Sequence, residues 1–320
     1  MQTSSIKDAI LNRSSFSGAN SIDIPTVLCN LVKDKEVSAC LADNPAFNSY
    51  KELMEVGELI YSDNIGLYRN ELVSNMKYLE EVNLFPDPDL VIKNHCKWLL
   101  TTLLDMVQFR HEANVLPYIA QHTIKVINGE VIDNYYGKKG IVLLGVYQNH
   151  IGFVLEELLK KYPISIIRKP LSDHMDSPLL GNFFNRVNPI DANATGGKKL
   201  FYHLKNKGIV GLYNDFIYPD SRPARGFLFG KNVNISETLL KIIEMTDAVI
   251  IPFSVVKNLS VNPVEVEIRY FDAVQKEQDG SSNLLFIVSL ITEFLIRYQP
   301  EQWRLWNSLI HRWHYCQYKS

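Results

Sequence analysis

The chain has 320 residues, 46% of them hydrophobic, which is enough for one large core or two modest ones. A formal net charge of −2 excludes a strong global field that would select nucleic acid or an anionic membrane surface. Cys29, Cys40, Cys96 and Cys316 show no metal or redox spacing and read as free thiols of a reducing compartment.

In chain order, residues 1–43 are polar and weakly patterned and predict short helices at most. Residues 44–112 predict helix, because Leu53, Val56, Leu59, Ile60, Leu67, Leu72 and Met76 recur at helical spacing. Asp87-Pro88-Asp89 opens a second long helix, Leu90 to Arg110, with proline near its first turn. From about residue 123 the texture changes. Thr123–Ile127 alternates as a strand, Ile141–Val146 is a buried strand and Ile151–Tyr162 a helix. Ile164–Arg168 and Ile209–Tyr213 are strands, with a helical stretch around Leu200–Lys207 between them. Ser236–Thr246 predicts a helix, Val249–Val256 and Glu265–Phe271 strands, and Asn283–Tyr298 a last helix before a tryptophan-rich tail.

Strands alternating with helices predict an α/β fold: a central, mostly parallel or mixed sheet covered by helices, with a helical N-terminal layer. The expected division is a helical layer over residues 1–122 and an α/β core over 123–320, within one globular unit. The longest apolar stretch, Leu284 to Ile296, contains Glu293 and is shorter than the roughly 20 residues a spanning helix needs. The N-terminus has no signal-peptide core. The expected location is therefore cytoplasmic, with at most peripheral contact with the inner membrane.

The most informative segment is Gly140-Ile-Val-Leu-Leu-Gly-Val-Tyr-Gln-Asn-His150, followed at once by a helical stretch carrying Glu156 and Glu157. A short apolar run bounded by glycine reads as a buried strand. A histidine where that strand gives way to a helix lies at the edge of an α/β sheet where ligands bind. Histidine is also the side chain best suited to take a proton near neutral pH. A hydrogen-bonded loop histidine is the alternative reading of the position alone.

Five segments, in order, share a wider pattern. They are the strand ending in His150-Ile-Gly, then Ile166-Ile167-Arg168-Lys169-Pro170 with Arg186 downstream, then Gly208-Ile-Val-Gly-Leu-Tyr-Asn-Asp215. Gly226-Phe-Leu-Phe229-Gly230 follows, with a helix and Asp247-Ala-Val-Ile-Ile-Pro252. Pro300-Glu-Gln-Trp303-Arg-Leu-Trp306 with His311-Arg312 completes the series. Over about residues 90–315 the chain thereby resembles the bacterial lipid A biosynthesis acyltransferases. These are the lauroyl/myristoyl type within the lysophospholipid acyltransferase superfamily.

That resemblance implies transfer of an acyl group from a thioester to a hydroxyl, with histidine as general base and no covalent acyl-enzyme. It makes His150 the base. It also implies a carboxylate on the far imidazole nitrogen, to fix the tautomer and stabilise the imidazolium. Members of the family place that acid five residues after the histidine, where this chain has Leu155. Glu156 serves if the loop holds one extra residue, since a shift of one position turns a helical side chain by about 100°. Asp215, at another strand end, is the second candidate. Phe153-Val154 replaces the family's asparagine-tryptophan, so the acceptor pocket is expected to differ. Arg168 is expected to stabilise an oxyanion or hold a phosphate, or else to form a surface ion pair. Asn149, Arg186, Arg222 and Arg225 complete the expected substrate-binding set.

Lys198, Lys199, Lys205, Lys207, Arg222, Arg225 and Lys231 cluster in sequence and predict contact with an acidic carrier protein or coenzyme A phosphates, or plain solvated surface. Trp303, Trp306 and Trp313 read as core. His174, His203, His311 and His314 have no ligand spacing, so no metal is expected. The sequence thus predicts a soluble acyltransferase. Its donor is an acyl carrier protein or coenzyme A thioester, its acceptor a hydroxyl or amine, and it binds no other cofactor and no nucleic acid. Biosynthesis of a small acylated natural product is the expected setting. Two alternatives stay open: a peripheral lipid A or lysophospholipid acyltransferase, and a non-catalytic acyl-binding or partner protein.

Overall fold

The computed structural model describes residues 6–11, 30–62, 85, 87–110, 112–147, 150–168, 186–215, 223–275, 283–303, 305, 306 and 309. The N-terminal layer consists of α1 (Ile6–Leu11), α2 (Lys35–Asp43), α3 (Ala46–Ser62), α4 (Pro88–Arg110) and α5 (Glu112–Ile119). Asp34 caps α2 by accepting from the amides of Glu36 and Val37. At the start of α4, Asp87 accepts from the Leu90 amide at 2.9 Å, and Pro88 occupies the first helical position. Helices α3 and α4 pack at close range through Gly57, where a Cβ would stand 2.6 Å from the Lys97 Cα.

The α/β part follows as β1 (His122–Ile127), α6 (Glu130–Tyr135), β2 (Ile141–Gly145), α7 (Ile151–Leu159), β3 (Ile164–Arg168), β4 (Asn188–Asp191), α8 (Ala194–Lys205) and β5 (Ile209–Tyr213). It continues with β6 (Pro223–Leu228), β7 (Lys231–Ser236), α9 (Glu237–Thr246), β8 (Val249–Asn258), β9 (Val264–Tyr270) and α10 (Leu284–Tyr298). Seven strands form one sheet in the order β1-β9-β8-β2-β5-β3-β4. All its pairings are parallel except β8 with β9. The predicted α/β class and the mostly parallel sheet with helices around it are therefore what the chain adopts. At the centre, β2 is buried along its whole length, as its uninterrupted apolar run requires.

Strands β4, β6 and β7 and helices α5 and α6 went unpredicted, most of them for identifiable reasons. Strand β4, Asn-Pro-Ile-Asp, is an edge strand and can accommodate a proline that a central strand could not. The hairpin β6–β7 turns at Phe229-Gly230, both with positive φ (51° and 75°). A phenylalanine is a poor sequence signal for such a turn. Here its ring lies stacked on Trp306, 5.9 Å away and 12° from parallel. Helix α5 contains Pro117, which hides it from a pattern reading. The stretch from Leu67 to Met76, expected as helix, lies outside the described residues.

Candidate active site

The site forms where the carboxyl ends of the parallel strands meet the N-terminal layer. Strand β2 ends at Gly145 and α7 begins at Ile151. His150 immediately precedes the helix with a left-handed backbone, φ 80° and ψ 14°. Few non-glycine residues adopt this region, and holding one there costs on the order of 1 kcal/mol. The imidazole is fully buried, and Trp98 approaches it edge-on at 6.1 Å.

Nδ1 of His150 is bonded to Oδ2 of Asp105. A carboxylate only accepts, so Nδ1 carries the proton and donates it. Asp105 comes from α4, within the run Leu103-Leu104-Asp105-Met106-Val107, every member of which is buried. Its other oxygen takes three donors: Lys257 Nζ at 2.6 Å, Tyr50 OH at 2.8 Å and Tyr118 OH at 2.5 Å. The two tyrosine hydroxyl oxygens also lie against each other, and Lys257 donates to the Tyr50 hydroxyl oxygen.

The electrostatics follow from that convergence. Burial alone would raise the Asp105 carboxyl. The Lys257 ammonium and the His150 imidazole overcome this and hold it well below the usual carboxylate range. Burial pushes Lys257 down to about 8, against the pull of Asp105. Burial, then the negative charge of Asp105, raises Tyr50 and Tyr118 well above the ordinary tyrosine value, so both are neutral donors. His122 donates from Nδ1 to the Tyr118 carbonyl at 2.8 Å; burial, then the Lys257 cation, pushes it down to about 4.

The fold explains why these residues meet. Strand β8 pairs with β2 through Pro252 but runs on to Asn258, so Lys257 passes beyond the edge of the parallel strands. Strand β1 begins at the same edge with His122, opposite Val264. Phe153, on the first turn of α7, contacts the rings of Phe109, Tyr118 and His122 at 5.3, 5.7 and 4.8 Å. Lys257 sits 4.8 Å above the Phe153 ring and 4.3 Å above that of Tyr50. Gly152 lets α7 approach α4, since a Cβ there would stand 2.7 Å from the Phe109 ring.

Several expected site residues are placed differently. Asp105, and neither Glu156 nor Asp215, is the carboxylate on Nδ1 of His150. Helix α7 starts directly after His150, so no inserted residue rotates Glu156 into the acid's place. Glu156 is buried and paired with Arg186, while Leu155 is simply core. Asp215 accepts the Tyr147 amide at 2.9 and 3.0 Å and the Trp303 indole N–H at 2.6 Å. It thus ties the ends of β2 and β5 to the C-terminal segment. Arg168 donates from Nε to Asp191 at 2.8 Å across the β3–β4 edge, the ion pair that was its alternative reading. Arg225 is exposed on β6. Asn149, Arg222, His174, His311, His314 and Trp313 lie outside the described residues.

Helix α8 runs back from the carboxyl edge, so Lys205 and Lys207 lie near the start of β5, at the end of the sheet remote from His150. Trp303 and Trp306 are fully buried, as expected of core. Among the described residues no helix is long and apolar enough to cross a membrane.

Sequence reasoning missed Asp105, Lys257, Tyr50 and Tyr118. Two of them did leave a signal. Asp105 is a lone acid in an apolar helical run. Lys257 falls in phase with Phe253 and Val255 on one face of β8.

The fold and site define a class: an α/β protein with a buried aspartate–histidine pair at the carboxyl edge of a mostly parallel sheet. The chain matches no family model and no curated protein. Among solved structures it is similar to the 1-acyl-sn-glycerophosphate (LPA) acyltransferase PlsC from Thermotoga maritima. That likeness is at 11% identity and a TM-score of 0.38, over 72% of this chain and 95% of that one.

Proposed function

We propose that the protein transfers an acyl group from a phosphopantetheine thioester, on an acyl carrier protein or coenzyme A, to a hydroxyl or amine acceptor. The observation that carries this reading is the pairing of His150 Nδ1 with Asp105 Oδ2. An imidazole held through Nδ1 presents Nε2 as the nitrogen that takes a proton, and its carboxylate partner stabilises the resulting imidazolium. In the proposed step, Nε2 of His150 removes the acceptor's proton as the oxygen or nitrogen attacks the thioester carbonyl. The tetrahedral intermediate then expels the thiolate, the carbon–sulfur bond breaks, and the imidazolium returns its proton to sulfur. No acyl-enzyme forms. The resemblance of the five segments supports the thioester donor. Arg225 and Lys231, exposed on the β6–β7 hairpin, are candidates for contact with an acidic carrier.

Incubation with a panel of coenzyme A and carrier thioesters of graded chain length, offered with hydroxyl, amine and lysophospholipid acceptors, tests this. Release of free thiol matched by an acceptor product of the acylated mass, with the protein's own mass unchanged, is the expected result. A stable acylated protein, or no thiol release above the blank with any pair, contradicts it.

A further inference from the structure

Beside the dyad stands a buried cation that general-base chemistry alone does not require. The Lys257 side chain is completely buried, 2.6 Å from Asp105 Oδ1, while His150 holds Oδ2. Removing an ammonium from water into such a place is costly unless an anion compensates it. Among the described residues, the polar groups facing this pair come from four elements. They are Tyr50 of α3, Tyr118 of α5, His122 at the start of β1, and His150 before α7. Among the described residues, Asp105 is the one carboxylate acting on the Lys257 ammonium, and the tyrosines and His122 are neutral at pH 7.

One carboxylate charge is thus shared between two possible cations. Were Lys257 absent, Asp105 would draw a compensating proton onto His150, and an imidazolium cannot act as a base. With Lys257 present, the carboxylate is already neutralised through Oδ1. It still accepts the Nδ1–H hydrogen bond through Oδ2.

We propose that Lys257 is a positioning residue of the site: its ammonium neutralises Asp105, so that His150 rests as an uncharged imidazole with its proton on Nδ1, ready to accept another. Tyr50 and Tyr118 hold the Asp105 oxygen that Lys257 contacts, and Phe153 lies under the ammonium. The proposal deepens the general-base reading of His150 and rests on it for its catalytic meaning. Its electrostatic content needs no substrate.

The test is nitrogen NMR of the histidine rings in the full chain at pH 7, with His150→Gln used to assign the signal. Wild-type His150 is expected as the neutral Nδ1–H tautomer. Lys257→Met, similar in length and uncharged, is expected to turn His150 into the imidazolium and to shift its titration upward by a pH unit or more. The acidic limb of any kcat/KM profile should move by the same amount. Lys257→Arg, which keeps the charge, should restore the neutral ring at least in part. If Lys257→Met does not fold, wild-type and Lys257→Arg still decide. An imidazolium in the wild-type protein at pH 7 overturns the proposal, as does an unshifted His150 in folded Lys257→Met. A neutral ring together with no acyl transfer would instead sink the functional reading and leave the electrostatic one standing.

Discussion

Asp105 and His150, 45 residues apart in sequence, are joined through Oδ2 and Nδ1 in a buried pair. The acid stands on a helix of the N-terminal layer, and the base stands at the edge of the sheet. Layer and sheet are therefore coupled at the point where the chemistry is placed. A change that shifts α4 against α7 should register in activity before it registers in the fold.

Asp105→Asn should lower turnover by about 100-fold or more, because the amide neither stabilises an imidazolium nor fixes the same tautomer. It also leaves the Lys257 ammonium buried without an anion, which costs roughly 3–5 kcal/mol when one partner of a buried pair is removed. Turnover of the folded fraction, with denaturant unfolding in parallel, separates the two effects. Unchanged turnover per folded molecule would remove Asp105 from the site.

Gly152→Ala puts a methyl group into the Phe109 ring, four residues beyond Asp105 on α4. Overpacking of this kind costs roughly 1–3 kcal/mol. The pressure falls on the helix that carries the acid, so activity of the folded variant should drop more than that of a control substitution of equal cost in α9. Equal activity in the two variants would show that α4 and α7 tolerate the shift.

Asp215→Asn should act on stability and spare the chemistry. Its carboxylate holds the Tyr147 amide and the Trp303 indole, and weakening these buried bonds costs roughly 1–3 kcal/mol. Thermal unfolding should show the loss, with turnover per folded molecule within about tenfold of wild type. A larger loss of turnover in the folded protein would return Asp215 to the catalytic set.

The pH dependence of stability has a definite sign. Burial pushes His122 from its ordinary 6.5 down to about 4. Between those values the unfolded chain binds a proton that the native chain does not, so stability increases with pH across that window. This contribution is complete above about 6.5 and is lost as pH falls toward 4. The carboxyl of Asp105 acts in the same direction: its contribution is present above the ordinary carboxylate range and is lost as pH falls below it. Urea midpoints measured from pH 7 to 4 should therefore fall, and His122→Gln should flatten the decline between 6.5 and 4. An unchanged slope in that variant would assign the loss to other groups.

How much of this was legible in the sequence depended on whether the signal was local. The strands announced themselves through unbroken apolar runs such as Ile141–Gly145, and the long helix through Asp87-Pro88 at its start. His150 was legible for the same reason: a glycine-bounded strand runs straight into a helix, and the residue at that junction is fixed by local geometry. The acid was not, because its partner is set by packing between layers. Nothing in the spacing of Asp105, Tyr50, Tyr118 and Lys257 encodes that they converge. Glu156 drew attention through nearness in sequence, yet a helix starting at Ile151 carries it to Arg186. The basic residues show the converse, since α8 carries Lys205 and Lys207 to the end of the sheet remote from His150.

If His150 is the base of a transfer reaction, its removal must stop turnover, and His150→Ala measures this. Wild type and variant, each verified as folded by circular dichroism and thermal unfolding, are compared on the acyl thioester and acceptor that give the highest thiol release. The expected result is a loss of about 100-fold or more with the fold retained. Near-normal turnover by the folded variant would contradict it.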